Sequence, residues 1–352
     1  MTEHINFEKS NQLTLKENDN LAIIILNWNG GENTKFCLKS LKKSEPVFSS
    51  IIIVDNGSTD NSLPIIYSTA QELFSCRKIK TQKVVNMDVD GDKLSFKVVY
   101  LKGTISLFLI LLDDNYGIPK GRNIGIEWAL KNLPVNYLFL LDNDAQVEYS
   151  TLSLCLKALK KKQAHLVGCV IKNEDNTIQF AGKNFVENIF YIDILLKKIF
   201  YKTNKAYWDV DMLSGCFMAE RSTLELIKKN RGYIFDSKFF LYCEDQDLSL
   251  YAKRKLNLRN IILRDSIIYH KISAGNAGLP RAYYYSTRNR IYLANSYLPL
   301  HLKILFHLFY SPYRILRALI YLTSGNPKLA RGNFKGLIDG YRGVKDKCSL
   351  TF

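Results

Sequence analysis

Three short apolar runs, each followed directly by a polar side chain, constrain the fold of this chain most strongly. They span residues 21–26, 51–54 and 137–141. Continuous runs of this length and composition are typical of strands that are buried on both faces of a parallel sheet. Residues 33–43, between the first two runs, have helical spacing, which predicts a βαβ unit. We therefore expect an α/β fold with a Rossmann-like, mostly parallel central sheet and flanking helices.

The residues that follow these runs are candidates for a ligand site, because open α/β sheets bind ligands outside the carboxyl ends of their strands. Asp142 and Asp144 follow the third run together. Paired carboxylates suit Mg²⁺ or Mn²⁺, which takes its remaining ligands from water and substrate phosphates. The alternative for Asp-Asn-Asp is an Asx turn that caps a helix. Asp55, after the second run, is placed to hydrogen-bond a nucleobase or ribose, and turn formation is again the alternative.

A third acidic group follows an aromatic segment at residues 239–242. It contains Glu244, Asp245 and Asp247. Carboxylates crowded beside aromatic rings and beside one another can have raised pKa values and act as general bases. The alternative is a helix N-terminus, where the macrodipole favours acidic residues. His270 is a candidate metal ligand, although a single histidine is more often structural.

Six ordered motifs in this chain resemble those of the family-2 glycosyltransferases of the GT-A fold, especially the bacterial rhamnosyltransferase-like branch that builds surface polysaccharides. The resemblance covers about residues 21–289. It rests on NWNG at 27–30, VDNGSTD at 54–60, NYGIPKGRNIGI at 115–126, LLDNDA at 140–145, SGCFMAER at 214–221 and FDSKFFLYCEDQDL at 235–248, followed by His270 and the pair Arg288-Asn289. The motifs are specific for fold and reaction class, and weak for the identity of the sugar.

The resemblance implies roles for individual residues. The implied catalytic base is Asp245, and the implied metal ligands are Asp142, Asp144 and His270. The implied donor-binding residues are Asn27, Asp55, Asn115, Gly117, Asn123, Asp142, Arg288 and Asn289. The chain departs from the family at Tyr251, where the family often has arginine.

The implied reaction is a single displacement that inverts the anomeric carbon. The donor is a nucleotide-diphosphate sugar, with rhamnose as a candidate, and the acceptor is a saccharide or a lipid-linked saccharide in surface polysaccharide synthesis. A metal-dependent nucleotidyltransferase shares the carboxylates at the strand ends but would need a glycine-rich phosphate loop after the first strand, where this chain has only NWNGG. A non-enzymatic membrane-surface or nucleic-acid-binding protein leaves the acidic motifs unexplained, so no nucleic acid partner is expected.

The chain has 352 residues, which exceeds the usual size of one domain and favours one large unit or two fused halves. We expect a flexible lead-in at residues 1–20, a nucleotide-sugar-binding half at 21–145 with an insertion at about 75–108, an acceptor-binding and catalytic half at 146–280, and a basic helical tail at 281–352. Within the insertion, the acidic residues at 88–92 lack the twelfth-position carboxylate of a calcium loop, so a solvated turn is expected.

The cellular location is expected to be the cytoplasm. Seven scattered cysteines without a C-x-x-C pair fit a reducing compartment, and residues 1–20 lack the features of a signal peptide. The tail has 12 Lys and Arg against 2 Asp and Glu from residue 281 onward, and its apolar stretch at 298–322 is too interrupted to span a bilayer. One hypothesis is therefore that helices of the tail lie on the inner face of the cell membrane; the alternative is that they only cover the catalytic domain.

Overall fold

The structure, a computed structural model, describes residues 20–191, 205–270, 279–345, 347 and 348, and for residues 78–82 it describes the backbone alone. The predicted lead-in therefore lies outside the described residues except for Asn20. Residue 346 and residues 349–352 of the predicted tail also lie outside them.

The first part of the chain alternates strands and helices around one sheet. Its elements are β1 (Leu21–Asn27), α1 (Gly31–Lys43), β2 (Ser50–Asp55), α2 (Ser62–Phe74), β3 (Arg77–Val89), β4 (Asp92–Lys102), β5 (Ser106–Leu111), α3 (Gly117–Asn132), β6 (Tyr137–Asp142) and β7 (Ala145–Val147). The predicted βαβ unit is confirmed, because β1 and β2 are parallel neighbours.

The second part adds further strands and ends in three helices. Its elements are α4 (Thr151–Lys160), β8 (Leu166–Lys172), β9 (Ile178–Phe180), α5 (Phe185–Ile189), β10 (Tyr207–Asp209), β11 (Phe217–Glu220), α6 (Arg221–Arg231), a 3₁₀ turn (Ser237–Phe239), α7 (Glu244–Lys255), β12 (Asn260–His270), α8 (Pro280–Tyr297), α9 (Leu300–Thr323) and α10 (Pro327–Arg342). The expected helical tail is confirmed for the described residues.

In the part of the chain that the structure describes, all twelve strands join one mixed sheet. Its main path is β10-β12-β8-β11-β6-β1-β2-β5-β4-β3, with β7 beside β12 and β9 beside β8. The centre, β6-β1-β2-β5, is parallel, and antiparallel strands extend it on both sides, with β11 beside β6 and β4 beside β5. The predicted α/β class is confirmed, and the parallel character is confined largely to the centre.

Apolar clusters cover both faces of the central strands, which explains why their sequences are continuously apolar. The glycines of α3 bring this helix very close to the sheet. A Cβ atom at Gly121 would lie 2.5 Å from Cδ1 of Leu26, and one at Gly125 would lie 2.8 Å from Cγ2 of Val54. This close contact fixes the rotation of α3 about its axis and therefore the direction of its other side chains.

The predicted insertion contains a long hairpin of β3 and β4, which joins the sheet at β5. Its acidic turn is not merely solvated. Asp90 accepts hydrogen bonds from Nδ2 of Asn123 at 2.8 Å and from Oγ of Ser237 at 2.6 Å, and Asp92 forms an ion pair with Lys120. The hairpin tip is therefore tied to α3 and to the segment before α7.

The C-terminal helices pack tightly on one another. A Cβ atom at Gly332 would lie 2.3 Å from the carbonyl oxygen of Pro280, and one at Gly336 would lie 2.4 Å from that of Tyr284. Small residues on α10 thus let its backbone contact α8 directly. Across the described residues, the structure contains no helix with the length and apolarity required to cross a bilayer.

Candidate active site

The carboxyl ends of the parallel strands bring the predicted polar residues to one level of the sheet. Asn27 is paired in register with Asp55, and Leu26 with Asp142. Nδ2 of Asn27 donates to Oδ1 of Asp55 at 2.7 Å, and the hydroxyl of Ser58 donates to the same oxygen at 2.6 Å. The carboxylate of Asp55 is buried. Its hydrogen bonds with Asn27 and Ser58 therefore stabilise the turn at residues 55–58.

The Asp-Asn-Asp turn is joined to β1 through its central residue. Nδ2 of Asn143 lies 3.2 Å from Oδ1 of Asn27 and 3.3 Å from the carbonyl oxygen of Gly30. A Cβ atom at Gly30 would lie 2.4 Å from that nitrogen, so only glycine fits there without a shift. The carboxylates on either side of Asn143 have other partners: Asp142 contacts Arg122, and Asp144 contacts His270.

A buried arginine connects two of the three acidic groups. Nη2 of Arg122, on α3, lies 2.5 Å from Oδ1 of Asp142, and its Nη1 lies 3.5 Å from Oε1 of Glu244. A Cβ atom at Gly215 would lie 2.4 Å from Nη2, so the SGC motif leaves space for this guanidinium. Asp142, on β6, and the first turn of α7 therefore share one cation, although they are 102 positions apart in sequence.

The two acids at the start of α7 are both protonated more readily than usual. Burial raises the pKa of Glu244 to about 8, and the nearby charge of Asp245 adds to this, against the opposing charge of Arg122. Burial also raises the pKa of Asp245 to about 6, while Arg122 and the backbone N–H of Gln246 limit the rise. At neutral pH Asp245 is therefore mostly ionised and has the basicity of a general base.

The third acid of this group, Asp247, has a structural role. Its Oδ2 lies 2.8 Å from Nη1 of Arg231, and its Oδ1 accepts a hydrogen bond from the hydroxyl of Tyr297 at 2.7 Å. The guanidinium of Arg231 also lies 4.4 Å from the ring centroid of Tyr251. The residue that replaces the family's arginine thus stacks on a different arginine, which supplies the cation beside Asp247.

The backbone before Asp245 is held in an unfavourable conformation. Phe240, Tyr242 and Cys243 have φ values of +57°, +65° and +72°. Bulky side chains rarely adopt this left-handed region, and each such residue costs on the order of 1 kcal/mol or more. The surroundings must therefore hold the loop at residues 238–243, which we call the catalytic loop, in place.

Two buried residues of α8 hold the catalytic loop. Nδ2 of Asn289 lies within 2.9 Å of the carbonyl oxygens of Phe239, Leu241 and Tyr242. Nη2 of Arg288 donates to the carbonyl oxygens at 238 and 239. Both side chains are fully buried, so the geometry gives them this supporting role. Their predicted contact with the donor stays a prediction.

Three residues that are predicted to bind the donor lie in α3 or just before it. Asn115 and Gly117 form the turn at the start of this helix, and Asn123 lies further along it. Oδ1 of Asn115 accepts from the backbone N–H of Gly117 at 2.9 Å and from Nδ2 of Asn56 at 3.1 Å. Gly117 has a φ of +83°, and a Cβ atom there would lie 2.6 Å from the carbonyl oxygen of Phe240. Asn123 exchanges two hydrogen bonds with the backbone of Phe235. Gly117 and Asn123 therefore contact the segment that leads to Asp245, whereas Asn115 stabilises the turn before α3.

The predicted metal ligands lie at one edge of this site. Nε2 of His270 is 3.0 Å from Oδ1 of Asp144, and Nδ1 of His270 is 3.0 Å from Oε1 of Gln179. Burial by itself lowers the pKa of His270, but the hydrogen bond and charge of Asp144 outweigh it and the pKa is raised. Among the described residues, no group of three or more His, Cys, Asp or Glu side chains is arranged to hold a metal ion.

The carboxylates nevertheless fit an ion that is held partly by substrate. Asp142 and Asp144 are partly exposed at the sheet edge, where Asp142 contacts Arg122 and the thiol of Cys216, and Asp144 contacts His270. Mg²⁺ in particular is commonly bound through one or two carboxylates plus substrate phosphates. The donor set thus suits such an ion once a diphosphate is bound.

The structure brings together residues that the sequence did not assign. Arg122, Asn143 and Asn56 all lie in the quoted motifs, yet the sequence predicts no role for them, and Ser58 is expected only as a candidate helix cap. The position of Arg122 between Gly121 and Gly125, in the glycine-rich part of α3, was the available signal for this residue. The role of Arg122 could not be predicted from this signal, because its partners, Asp142 and Glu244, come from segments distant in sequence.

The family model for glycosyl transferase family 2 matches residues 22–85 and 100–226, which together make up more than half of the chain. The chain therefore belongs to this family, and it is a glycosyltransferase. The interval between the matched segments, residues 86–99, is the tip of the β3-β4 hairpin. The match favours glycosyl transfer over the alternatives of a nucleotidyltransferase and a non-enzymatic protein. No curated protein sequence matches the chain significantly.

Solved structures with similar folds are also nucleotide-sugar complexes. Residues 1–349 of S. aureus TarS in complex with UDP-GlcNAc align with a TM-score of 0.55 at 16% identity, covering 92% of this chain and 81% of that one. The mannosyltransferase PcManGT from Pyrobaculum calidifontis, in complex with GDP-Man and Mn²⁺, aligns with a TM-score of 0.54 at 12% identity, covering 93% and 88%. This chain spans 41% of a longer S. aureus TarS structure. At these identities the likeness supports the predicted GT-A fold.

Proposed function

We propose that this chain is an inverting glycosyltransferase that transfers a sugar from a nucleotide-diphosphate donor to a hydroxyl of a saccharide or lipid-linked acceptor. The observation that carries the proposal is the position of Arg122 between Asp142 and the first turn of α7. This position supports the proposal, because a diphosphate bound at Asp142 would lie beside the first turn of α7, which contains Asp245. Oε2 of Glu244 and Nη1 of Arg122 are buried and have no hydrogen-bond partner among the described residues. These two atoms could therefore hydrogen-bond a ligand that binds between Asp142 and α7.

The donor is proposed to lie along the carboxyl ends of β1, β2 and β6. Asn27 and Asp55 would define the nucleoside end, and Asp142 and Asp144 the diphosphate end. The two structures of similar fold were solved with UDP-GlcNAc and with GDP-Man and Mn²⁺. A divalent ion held by Asp142 and Asp144, with His270 beside them, would neutralise charge on the leaving diphosphate.

In the proposed step, Asp245 accepts the proton of the acceptor hydroxyl. The hydroxyl oxygen attacks the anomeric carbon while the bond from that carbon to the diphosphate oxygen breaks. The nucleoside diphosphate leaves with the bonding electron pair, and attack from the opposite face inverts the anomeric carbon. The raised pKa of Asp245, about 6, supports this role because the carboxylate is ionised at neutral pH and still basic enough to take a proton.

The test is product analysis with the full chain and a panel of nucleotide sugars, rhamnose donors included, with and without Mn²⁺. We expect release of a nucleoside diphosphate, and inversion seen in the anomeric NMR signals of the product. Release of pyrophosphate would instead indicate a nucleotidyltransferase, and a product with retained configuration would contradict the single displacement. Rhamnose as the sugar, and a surface polysaccharide such as O-antigen as the product, stay predictions from the motifs.

A further inference from the structure

The outward face of α9 is apolar over most of its length, with the exposed polar residues His301 and Thr323 near its two ends. Leu300, Ile304, Leu308, Phe309, Leu316 and Leu319 are each between 53% and 72% exposed. Their spacing places them on one side of the helix, while Phe306, Tyr310, Arg314 and Ala318 face inward. The exposed positions of α9 carry no Lys, Arg, Asp or Glu. Contiguous apolar patches of this kind mark an interaction site.

The surroundings of this face are basic. Residues 300–345 contain eight Lys and Arg and one acid, Asp339. Asp339 is buried and is held by Lys335 at 2.7 Å and by the hydroxyl of Tyr284 at 2.8 Å. Lys328 and Arg331 are exposed on α10. No acidic side chain is therefore exposed within residues 300–345, all of which the structure describes.

We propose that the apolar face of α9, together with the exposed cations of α10, docks on the surface of an anionic lipid bilayer. An amphipathic helix with an apolar face and basic neighbours lies in the plane of such a surface. Exposed aromatic residues beside the face, Tyr313 and Tyr341, suit the headgroup level. A second copy of this chain fits less well, because pairing through this face would bring two basic surfaces together without acidic partners.

The proposed docking face is one helix away from the catalytic loop. The hydroxyl of Tyr310, on the inward side of α9, donates to the carbonyl oxygen of Thr287 at 3.2 Å. The next residue, Arg288, holds the catalytic loop from α8. Docking would therefore bring the loop close to the bilayer, where a lipid-linked acceptor would be found. The docking itself does not depend on the proposed function.

The experiment is co-sedimentation of the full chain with vesicles of phosphatidylcholine, alone or mixed with phosphatidylglycerol. We expect binding to the mixed vesicles, reduced by roughly tenfold or more in Phe309→Ser/Leu316→Ser because two apolar side chains no longer enter the bilayer. Lys328→Gln/Arg331→Gln should weaken binding to the mixed vesicles and leave binding to pure phosphatidylcholine vesicles unchanged. Phe36→Ser/Leu226→Ser, which removes exposed apolar side chains elsewhere, is the matched control and should bind like the unchanged chain.

Leu316→Trp provides a second measurement that does not require loss of an apolar residue. The fluorescence emission of the introduced tryptophan should shift to shorter wavelength with phosphatidylglycerol vesicles and be quenched by brominated lipid. Two results would overturn the proposal. One is a chain that stays in the supernatant with both vesicle types. The other is a lipid-free dimer, seen by light scattering, that Phe309→Ser/Leu316→Ser converts to monomer, since the face would then bind a second copy.

Discussion

Nη2 of Arg122 lies 2.5 Å from Oδ1 of Asp142. The first aspartate of the D-x-D motif is therefore neutralised by a cation of the protein itself. The same guanidinium lies beside Glu244 and lowers the pKa of Asp245. One buried cation thus connects the part of the site that would hold the diphosphate with the part that would take a proton from the acceptor. Breaking this connection should affect both binding and proton transfer.

Arg122→Gln should lower transfer kcat/KM by about 10²-fold or more, because a preorganised cation in a buried site is lost. It should also move the acid limb of the pH–rate profile to higher pH, since the charge of Arg122 no longer lowers the pKa of Asp245. Arg122→Lys keeps the charge and should restore the position of this limb in part. Rate profiles of the three proteins check the prediction, and a limb that does not move in Arg122→Gln would contradict it.

Asp245→Asn should lose transfer by about 10²-fold or more and keep donor affinity, because a general base is removed while the donor contacts stay. In the unchanged enzyme the rate should rise as the pH passes about 6, where Asp245 ionises. Transfer assays and donor titrations measure the two effects. Near-normal turnover of Asp245→Asn would rule out this residue as the base.

Asp247→Asn is the matched variant two residues further along α7. It should lower the free energy of unfolding by about 2 kcal/mol or more, because buried Arg231 loses its charged partner. Thermal denaturation distinguishes it from Asp245→Asn, which should melt close to the unchanged protein. Equal melting temperatures of Asp247→Asn and the unchanged chain would show that the Arg231 contact is not stabilising.

The sequence predicted the parts of this molecule that depend on strand order and strand ends. Asp55 and Asp142 share a level of the sheet because they end the two strands that flank β1 in parallel, and that could be inferred from their apolar runs. The direction of Arg122 could not be inferred, because it depends on how Gly121 and Gly125 pack α3 on the sheet. The support of the catalytic loop by Asn289 joins segments about fifty residues apart, and no local pattern encodes such a contact.

Asn289→Ala should destabilise the protein by about 1–3 kcal/mol, because buried carbonyl oxygens of the catalytic loop lose their donor. We expect kcat to fall more than donor affinity, since the loop leads directly to Asp245. Asn295→Ala, at an exposed position of the same helix, is the control. Thermal denaturation and steady-state kinetics provide the readouts, and equal behaviour of the two variants would remove the supporting role.

Asp144→Ala should weaken nucleotide binding in the presence of Mn²⁺ by roughly tenfold or more, because a carboxylate ligand of the proposed ion is lost. Binding without Mn²⁺ should change much less, so the difference between the two conditions isolates the metal. Isothermal calorimetry with the nucleoside diphosphate measures both. An unchanged affinity in Mn²⁺ would count against a metal at Asp142 and Asp144.

The raised pKa of Glu244 makes stability depend on pH. Folded protein keeps this proton up to about pH 8, whereas the unfolded chain releases it near the ordinary value of 4.5. The native state therefore holds more protons across this window, and stability falls as the pH rises through it. Asp245 adds a similar fall below about pH 6, and His270, whose pKa is raised from 6.5, adds one above that value. In the interval from about 6 to 8, the share of Glu244 is therefore measured by comparison with Glu244→Gln. The melting temperature should drop by several degrees across that interval.

Glu244→Gln has no proton to release, so its melting temperature should change less with pH in the same interval. Glu225→Gln, an exposed control on α6, should follow the unchanged chain. A Glu244→Gln curve parallel to that of the unchanged chain would show that this carboxyl ionises normally.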